Sequence, residues 1–586
     1  MIATIDIETK THGMPNPDVD EIQLVGIKDL HGKGMIYYYP RDRDLILAHL
    51  QRVNTLVGYN LKGYDVPLLR RFGLIEYRHV IVDLMVCIKR REAVMPYTFH
   101  SKSLKNVLET LGLPPKTILP KETFQKPQAD WSVEERHEAE LYLENDLYIE
   151  EQLYIFLDDY FSAWKQFIGK EDRRRHAHLV STNGSYTYKA ICHASGLREE
   201  YNDQAVHQRL YEGGFVAKPT EEEVHGNIIC LDFASMYPHA YIQGNLYSYA
   251  CKCCTKEEKW HGNELFPIKG YYCKKKRGKI EEAILRLYKL RQEYKAVGDQ
   301  RQYAIKIIIN TMYGISGNPA FKNVFNINTA SDCTLIGRNC LKYTRDRLEH
   351  YGYKVLYSDT DSCYIIDDKN NEERVSLIAD SIVQELKAFF PFPSDTFNLK
   401  IDERIKHIWF FKRNGEFKKK HYAYVTNEGR TIIKGLPIIK RDSSKLGQRL
   451  LKEVIMPDMK KGIIRKKKSE WRKIINKYLE EDLSLVGKHF YLKDPSYYKD
   501  SRCLPAVLSE RYGAGRKFLI PNKVLGAGKS VKYCTQEEFD KKKLNNNMVI
   551  LNKTYGELRD FTEGVWKHET ARKTKDGGQM DLWDFG

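Results

Sequence analysis

The chain has 586 residues, 42% of them hydrophobic and 30% charged, and a formal net charge of +17. That balance excludes a disordered or fibrous polymer and, at roughly 100–200 residues per domain, points to about three to five domains. The positive excess favours a polyanionic partner. No run approaches the ~18 apolar residues of a membrane span, and the 12 cysteines show no pairing pattern, which suits a reducing compartment.

Met1 leads directly into a strand, with no charged stretch and apolar core of a secretory signal. Strand-like runs at Ile2–Ile7, Ile22–Ile27, Met35–Tyr39 and Thr55–Gly58, with a helical pattern at Asp44–Val53, predict a mixed α/β layer structure. Asp6 and Glu8 share one face of the first strand. Asn60 and Asp65 follow the fourth run, and Tyr142 and Asp146 stand one turn apart in a helical stretch. Four acids and a tyrosine, if folding gathers them, can hold two cations about 3.5–4 Å apart.

Further along, Arg173-Arg174-Arg175-His176 reads as a solvated basic face. In Tyr211-Glu212-Gly213-Gly214-Phe215 the glycines allow unusual dihedrals and close approach to a phosphate, or a plain turn. Ile228–Leu231 is a buried-strand run ending at Asp232, followed by Phe233-Ala234-Ser235-Met236-Tyr237-Pro238. Cys251, Cys253, Cys254, His261 and Cys273 cluster next; without two Cys-x-x-Cys motifs the expectation is ordinary thiols rather than zinc. Gly278–Met312 carries two helical patterns separated by Gly298-Asp299. Arg291 and Lys295 lie on the first, while Lys306, Asn310 and Tyr313 share a face of the second.

Tyr357-Ser358-Asp359-Thr360-Asp361-Ser362 sits between two short apolar runs and reads as a hairpin with Asp359 and Asp361 on one side. Adjacent carboxylates repel unless a cation neutralises them, and oxygen-only ligands suit Mg²⁺ or Mn²⁺. Lys419–Tyr424 mixes basic and aromatic groups on a strand. Amphipathic helical patterns run from Ser443 to Leu483 with the basic stretch Arg465–Lys468.

The segments around Asp232, Lys306 and Asp361, in this order, resemble the motifs shared by family B DNA polymerases. The resemblance implies a multidomain α/β fold: a ribonuclease-H-like exonuclease domain (1–165), a linker and first part of the palm (166–240), fingers (241–320), the rest of the palm (321–440), a thumb (441–570) and a flexible tail (571–586). It makes Asp232, Asp359 and Asp361 catalytic, with Asp232, Phe233 and Asp361 at two Mg²⁺ or Mn²⁺ ions. Ser235, Met236, Tyr237, Arg291, Lys295, Lys306, Asn310 and Tyr313 are then dNTP contacts. Tyr237 is the gate against a ribose 2′-hydroxyl, Met236 stands where the family usually has Leu, and Lys306 protonates the leaving pyrophosphate.

Asp6, Glu8, Asp65 and Asp146 resemble the metal ligands of the family's proofreading exonuclease, with Tyr142 positioning the water and Asn60 assisting the DNA end. Tyr211, Gly213, Gly214, Lys419, Lys420, Tyr422, Lys434 and Arg441 match DNA-contact segments. The implied function is template-directed extension of a primer 3′ end with 3′-5′ proofreading in replication, by a monomer in the cytoplasm. The short intervals between motifs imply a nucleic-acid rather than a protein primer. The extra N-terminal domain of larger members is expected to be missing. Economy of length suggests, by analogy, a virus or mobile element, and hence a bacterial host cytoplasm. At the far end Gln579, Leu582, Trp583 and Phe585 resemble the bacterial sliding-clamp peptide Gln-Leu-Asp-Leu-Phe, with Met580 and Trp583 as departures.

Overall fold

Alternation along the first strand decides the architecture of the N-terminal region. In the computed structural model, strand β1 (Ile2–Lys10) turns Ala3, Ile5 and Ile7 into an apolar core with Val25, Ile27, Leu56 and Leu69. Thr4, Asp6 and Glu8 therefore leave its opposite face. The structure describes residues 1–11, 16–97, 99, 101–117, 124, 126–205, 211–413, 415–440, 443–481, 487–491, 517–521, 534–535 and 557–563. They fall into two units, each discontinuous in sequence. The first comprises Met1–Tyr211, Tyr237–Gly262 and Ile268–Cys333; the second comprises Glu212–Met236, Asn263–Pro267 and Thr334–Gly586.

In the first unit β1 pairs antiparallel with β2 (Glu21–Asp29), which pairs with β3 (Gly34–Tyr38). Helix α1 (Arg43–Arg52) leads to β4 (Thr55–Gly58), which lies parallel to β1. Helix α2 (Asp65–Arg71) precedes β5 (Val80–Asp83), parallel to β4. The sheet order is β3-β2-β1-β4-β5. The expected strands and helix are present; β5, only four residues long, gave no pattern to read. Helix α3 (Val133–Tyr160) starts at a reciprocal cap between Ser132 and Glu135 and lies on the acidic face of β1. It comes so close that a Cβ on Gly26 of β2 would stand 2.8 Å from Leu147 Cδ1.

The same unit holds helices α4 (Asn183–Ser195), α5 (Lys279–Ala296) and α6 (Arg301–Ser316), packed on one another. The break between α5 and α6 falls where Gly298 takes a φ of 71°, as its sequence position predicts. Ile305, Ile308, Ile309 and Met312 bury one side of α6.

The second unit is built on an antiparallel six-stranded sheet of order β11-β10-β9-β6-β8-β7. Its strands are β6 (Glu223–Phe233), β7 (Lys354–Asp359), β8 (Ser362–Ile366), β9 (Leu399–Arg413), β10 (Glu416–Thr426) and β11 (Thr431–Lys434). Both faces are buried. Trp409, Phe411, Ala423 and Val425 meet Leu446, Leu450, Trp471 and Phe561 on one side; Ile408, Phe410, Tyr422 and Tyr424 join Tyr357 and Tyr364 on the other. The helical pattern expected from Ser443 to Leu483 is interrupted: Gly462 at φ 81° ends the first run, and α7 (Lys468–Glu481) begins at the end of the basic stretch. Three short strands, Gly487–Tyr491, Lys517–Pro521 and Cys534–Thr535, pair into a separate antiparallel sheet. Among the described residues no helix is long and apolar enough to cross a membrane.

Gly58 ends β4 against β1, where an added Cβ would stand 2.7 Å from Ile5 O and 2.8 Å from Leu61 Cδ2. A backbone oxygen cannot swing aside as a side-chain tip can. Gly58→Ala is expected to destabilise the first unit by about 1–3 kcal/mol, seen as a lower first transition in calorimetry; an unchanged midpoint would contradict this packing.

Candidate active sites: two carboxylate clusters

In the first unit the acids of β1 meet those of α3. One oxygen each from Asp6, Glu8 and Asp146 lie within 4.8 Å of one another. Tyr142, Asp146 and Glu150 follow at one-turn spacing along α3. Glu150 is 2% exposed and accepts the Tyr59 N–H on Oε1 at 2.9 Å. Asp65, 5% exposed, opens α2. Asn60 holds a left-handed φ of 64° in the turn between β4 and α2 and accepts the Gly63 N–H.

The electrostatics are those of a site short of positive charge. Burial pushes Asp6 up to about 7, with the Asp146 charge adding to it. Burial, then Asp6 and Asp146, raise Glu8 and Glu150, and burial, then Asp6, raises Asp65. Lys116 contacts Asp146 and lies 4.9 Å from the centre of the Tyr142 ring, yet burial still carries Asp146 upward. Asp146 Oδ1 and Glu150 Oε2 are buried with no hydrogen-bond partner among the described residues. Five carboxylates against one ammonium leave a formal excess that a pair of divalent cations would balance. The donor set, all hard oxygens, fits such ions.

Sequence reasoning missed Glu150 and Lys116. Glu150 was readable as the next turn after Tyr142 and Asp146. Lys116 comes from a loop and carries no periodic signal.

The second cluster lies wholly in the second unit. Asp232 of β6 is opposite Ser362 of β8, and the Phe233 N–H donates to Asp361 O at 3.0 Å, so Asp232 and Asp361 are brought side by side. Burial pushes Asp232 up to about 8, then the charges of Asp361 and Asp402 add to it. Burial and then Asp359 carry Asp361 up to about 6. Asp402, on β9 beside a register shift, is the acid that sequence reasoning missed. Asp359 is tied off differently, by Lys420 Nζ, which also donates to Thr360 Oγ1 at 2.9 Å. Phe233 is buried with its ring stacked on Phe397, 5.2 Å between centroids, so its side chain takes no part in holding a cation.

The hairpin tip is braced from outside the sheet. Thr360 N–H donates to Phe215 O, Ala217 N–H to Ser358 O, and Val216 bridges Asp359. Neither Gly213 nor Gly214 has a positive φ, and Gly213 O accepts from Arg338 Nη1 at 2.9 Å. Lys419 and Lys434 are exposed. Tyr422 is 4% exposed, its ring in the aromatic core and its hydroxyl 3.5 Å from Asp359 Oδ2, so it offers a hydroxyl rather than a ring face.

In the first unit, Lys306 and Asn310 lie on the exposed side of α6, with Tyr313 partly covered. The Tyr313 ring stacks on Tyr237 at 4.9 Å and meets Tyr211 edge-on at 6.1 Å, so three of the predicted contacts form one aromatic group. Arg291 is half-buried with Nε lacking a partner among the described residues, and Lys295, one turn on, is exposed. Ser235 takes a left-handed φ of 61°, and Met236 is buried. Arg441, the stretch 571–586 with Gln579, Leu582, Trp583 and Phe585, and most of the stretch 504–533 lie outside the described residues.

Residues 274–489 match the model of DNA polymerase family B. A DNA polymerase of Archaeoglobus fulgidus is 26% identical over 85% of this chain and 65% of its own length. A DNA polymerase of Pyrococcus glycovorans is 29% identical over 43% of this chain and 32% of its own. The chain thus spans less than two thirds of these relatives. The structure of the family B DNA polymerase from the archaeon Pyrobaculum calidifontis aligns over 98% of this chain and 78% of that one, with a TM-score of 0.56 at 18% identity. These relatives are archaeal, which lends no support to a viral or mobile-element source. The family match runs through α5, α6 and the β7–β8 hairpin, and with these relatives it shows a chain similar to the DNA polymerases of family B.

Proposed function

We propose that the chain is a DNA-directed DNA polymerase that extends a primer 3′ end on a template and removes mispaired ends at a separate 3′-5′ exonuclease centre. The observation that carries this is the pair of gathered carboxylate clusters, one on β1 and α3, the other on β6 and the β7–β8 hairpin. In this reading residues 1–165 are a ribonuclease-H-like exonuclease domain. Residues 166–240 and 321–440 build the palm, 241–320 the fingers and 441–570 the thumb. Two Mg²⁺ or Mn²⁺ ions at each centre would neutralise developing charge and activate the attacking oxygen.

The chain's own residues have distinct tasks. Asp232 and Asp361 hold the cations for synthesis, while Asp359, neutralised by Lys420, fixes the hairpin tip. Arg291 takes phosphate oxygens bidentately, Lys295 and Lys306 act as point charges, and Lys306 returns a proton to the departing pyrophosphate. The half-buried, unpartnered Nε of Arg291 supports an anionic ligand there. The stacked Tyr237 and Tyr313 rings form a wall suited to exclude a ribose 2′-hydroxyl. At the other centre Asp6, Glu8, Asp65 and Asp146 hold the cations, Tyr142 orients the water, and Asn60 steadies the DNA end. Exposed Lys419 and Lys434, with the net charge of +17, favour salt-dependent grip on a duplex. The partners are primer–template DNA and dNTPs, with a nucleic-acid primer, for a monomer acting in the cytoplasm.

Primer extension and single-strand digestion separate the two centres. Asp361→Asn is expected to lower extension by about 10²–10³-fold or more while leaving 3′-5′ digestion intact, and Asp6→Ala to do the reverse. Loss of both activities in either variant would sink the two-centre reading. The tail peptide is proposed to bind a sliding clamp: deleting residues 579–586 should remove clamp-stimulated processivity without changing distributive extension. Stimulation that survives the deletion would dismiss it.

A further inference from the structure

Four thiols gather ahead of α5. Cys251, Cys253, Cys254 and Cys273 each place a sulfur within 4.8 Å of the other three. The closest pairs are Cys251–Cys254 at 3.1 Å and Cys253–Cys273 at 3.3 Å. Both exceed the about 2.05 Å of a disulfide. A tetrahedral zinc site with Zn–S of about 2.3 Å separates its sulfurs by about 3.8 Å, so small adjustments of the thiols would close such a cage.

Three features around the thiols point the same way. The Lys276 N–H donates to Cys273 Sγ at 3.3 Å, stabilising a thiolate rather than a thiol. Four thiolates on a divalent ion leave a double negative charge, and Lys252, Lys256, Lys274, Lys275 and Lys276 surround the cage in sequence. His261 stacks on Tyr271 instead, 5.7 Å between centroids, and stays outside the ligand set. Cys251 and Cys254 themselves stand at Cys-x-x-Cys spacing; the other two ligands are a neighbour in the same turn and a cysteine twenty residues on, so no second motif exists to be found.

We propose that Cys251, Cys253, Cys254 and Cys273 form a structural Zn²⁺ site that fixes the start of helix α5. The stretch 251–278 contains no helix or strand, only the Trp260–Tyr272 bridge. Its order comes from side chains instead: Trp260, Phe266 and Tyr272 are buried, and Asp332 accepts from the Lys269 and Gly270 N–H groups and the Tyr272 hydroxyl. Cys273 O accepts from Asn245 Nδ2 at 2.8 Å, Asn245 Oδ1 accepts the Gly278 N–H at 2.8 Å, and the Tyr247 N–H bonds Glu281 inside α5. The cage is thereby linked through Asn245 to the first turn of the helix that carries Arg291 and Lys295. Zinc binding displaces the four thiol protons and closes the loop, so its binding free energy is folding free energy for this segment.

The test uses the full chain purified under reducing conditions in Mg²⁺ buffer. Elemental analysis is expected to give one zinc per chain, released by a mercurial thiol reagent. Co²⁺ exchange should produce the intense sulfur-to-metal charge-transfer absorption of a thiolate site, which the oxygen-only clusters cannot give. Cys273→Ser should lose at least nine tenths of the zinc, whereas Cys340→Ser, a buried cysteine outside the cage, should keep it. If Cys273→Ser does not fold, Cys253→Ser at the exposed ligand is expected to weaken retention against a chelator by ten-fold or more. Zinc-free protein without the Co²⁺ band, or non-reducing peptide maps showing Cys251–Cys254 or Cys253–Cys273 disulfides in fresh protein, would overturn the assignment.

Discussion

Like charges held close together in partly dry surroundings are the constraint on which the rest of this structure depends. Carboxylates in such places repel one another and lose hydration, so each cluster on its own opposes folding. The opposition pushes the carboxyls upward, Asp6 up to about 7 and Asp232 up to about 8, both through burial first and neighbouring carboxylates second. Side chains on loops would relax away from such a contact. Here the acids stand on elements whose positions are set by extensive apolar cores on the other side of the same strands, Ala3, Ile5 and Ile7 beneath Asp6 and Glu8, and Ile228 and Cys230 leading to Asp232. The cores supply the rigidity, and the repulsion is left for a cation to relieve.

The hairpin tip shows how that rigidity is achieved locally. Thr360 sits at a φ of 64°, a conformation a β-branched residue adopts only when its surroundings insist. Its N–H is held by Phe215 O, and Asp361 N–H turns back to Asp359 O at 2.7 Å. Lys420, itself at a φ of 60°, leaves the ladder between β9 and β10 at an irregular register and so brings its ammonium to Asp359. Beneath lie Tyr357, Tyr364 and Tyr422, whose rings meet at 5.3–5.8 Å and hold the turn from below. Strain in the turn, a bulge in the neighbouring strand and an aromatic floor are thus parts of one device that aims Asp361 at Asp232.

What could be read from the sequence is what local periodicity carries. The i, i+2 spacing of Asp6 and Glu8 and the one-turn spacing of Tyr142 and Asp146 and of Lys306 and Asn310 predict shared faces, and the structure has them; Asp359 and Asp361 are related instead by the turn, since Asp359 ends β7 and Asp361 precedes β8. Residues placed by irregular backbone were invisible. Asp402 arrives beside Asp232 only because β9 slips register next to it, and Lys116 comes off a loop. Tyr422 lies on a strand as expected, and the second buried face of that sheet, invisible in a single strand, decides that its ring goes inward.

Chain order adds a consequence of its own. Asp232 and Asp361 belong to strands that pair directly, yet the chain between them, Tyr237–Gly262 and Ile268–Cys333, is spent largely in the other unit. The β7–β8 hairpin can close locally, whereas the β6–β8 and β6–β9 ladders must close loops of well over a hundred residues, a cost that grows only slowly with length but delays the pairing. Until that pairing forms, Asp361 and Asp359 are exposed acids at the end of a hairpin with no reason to bind a cation tightly. The cluster of Asp232 and Asp361 therefore comes into being with the long-range ladder, after the insertion has been accommodated. The β1–α3 cluster is assembled from residues within the first 150 of the chain and needs no such return. The two centres thus differ in kind: one is a product of contiguous sequence, the other of a sheet completed across an insertion.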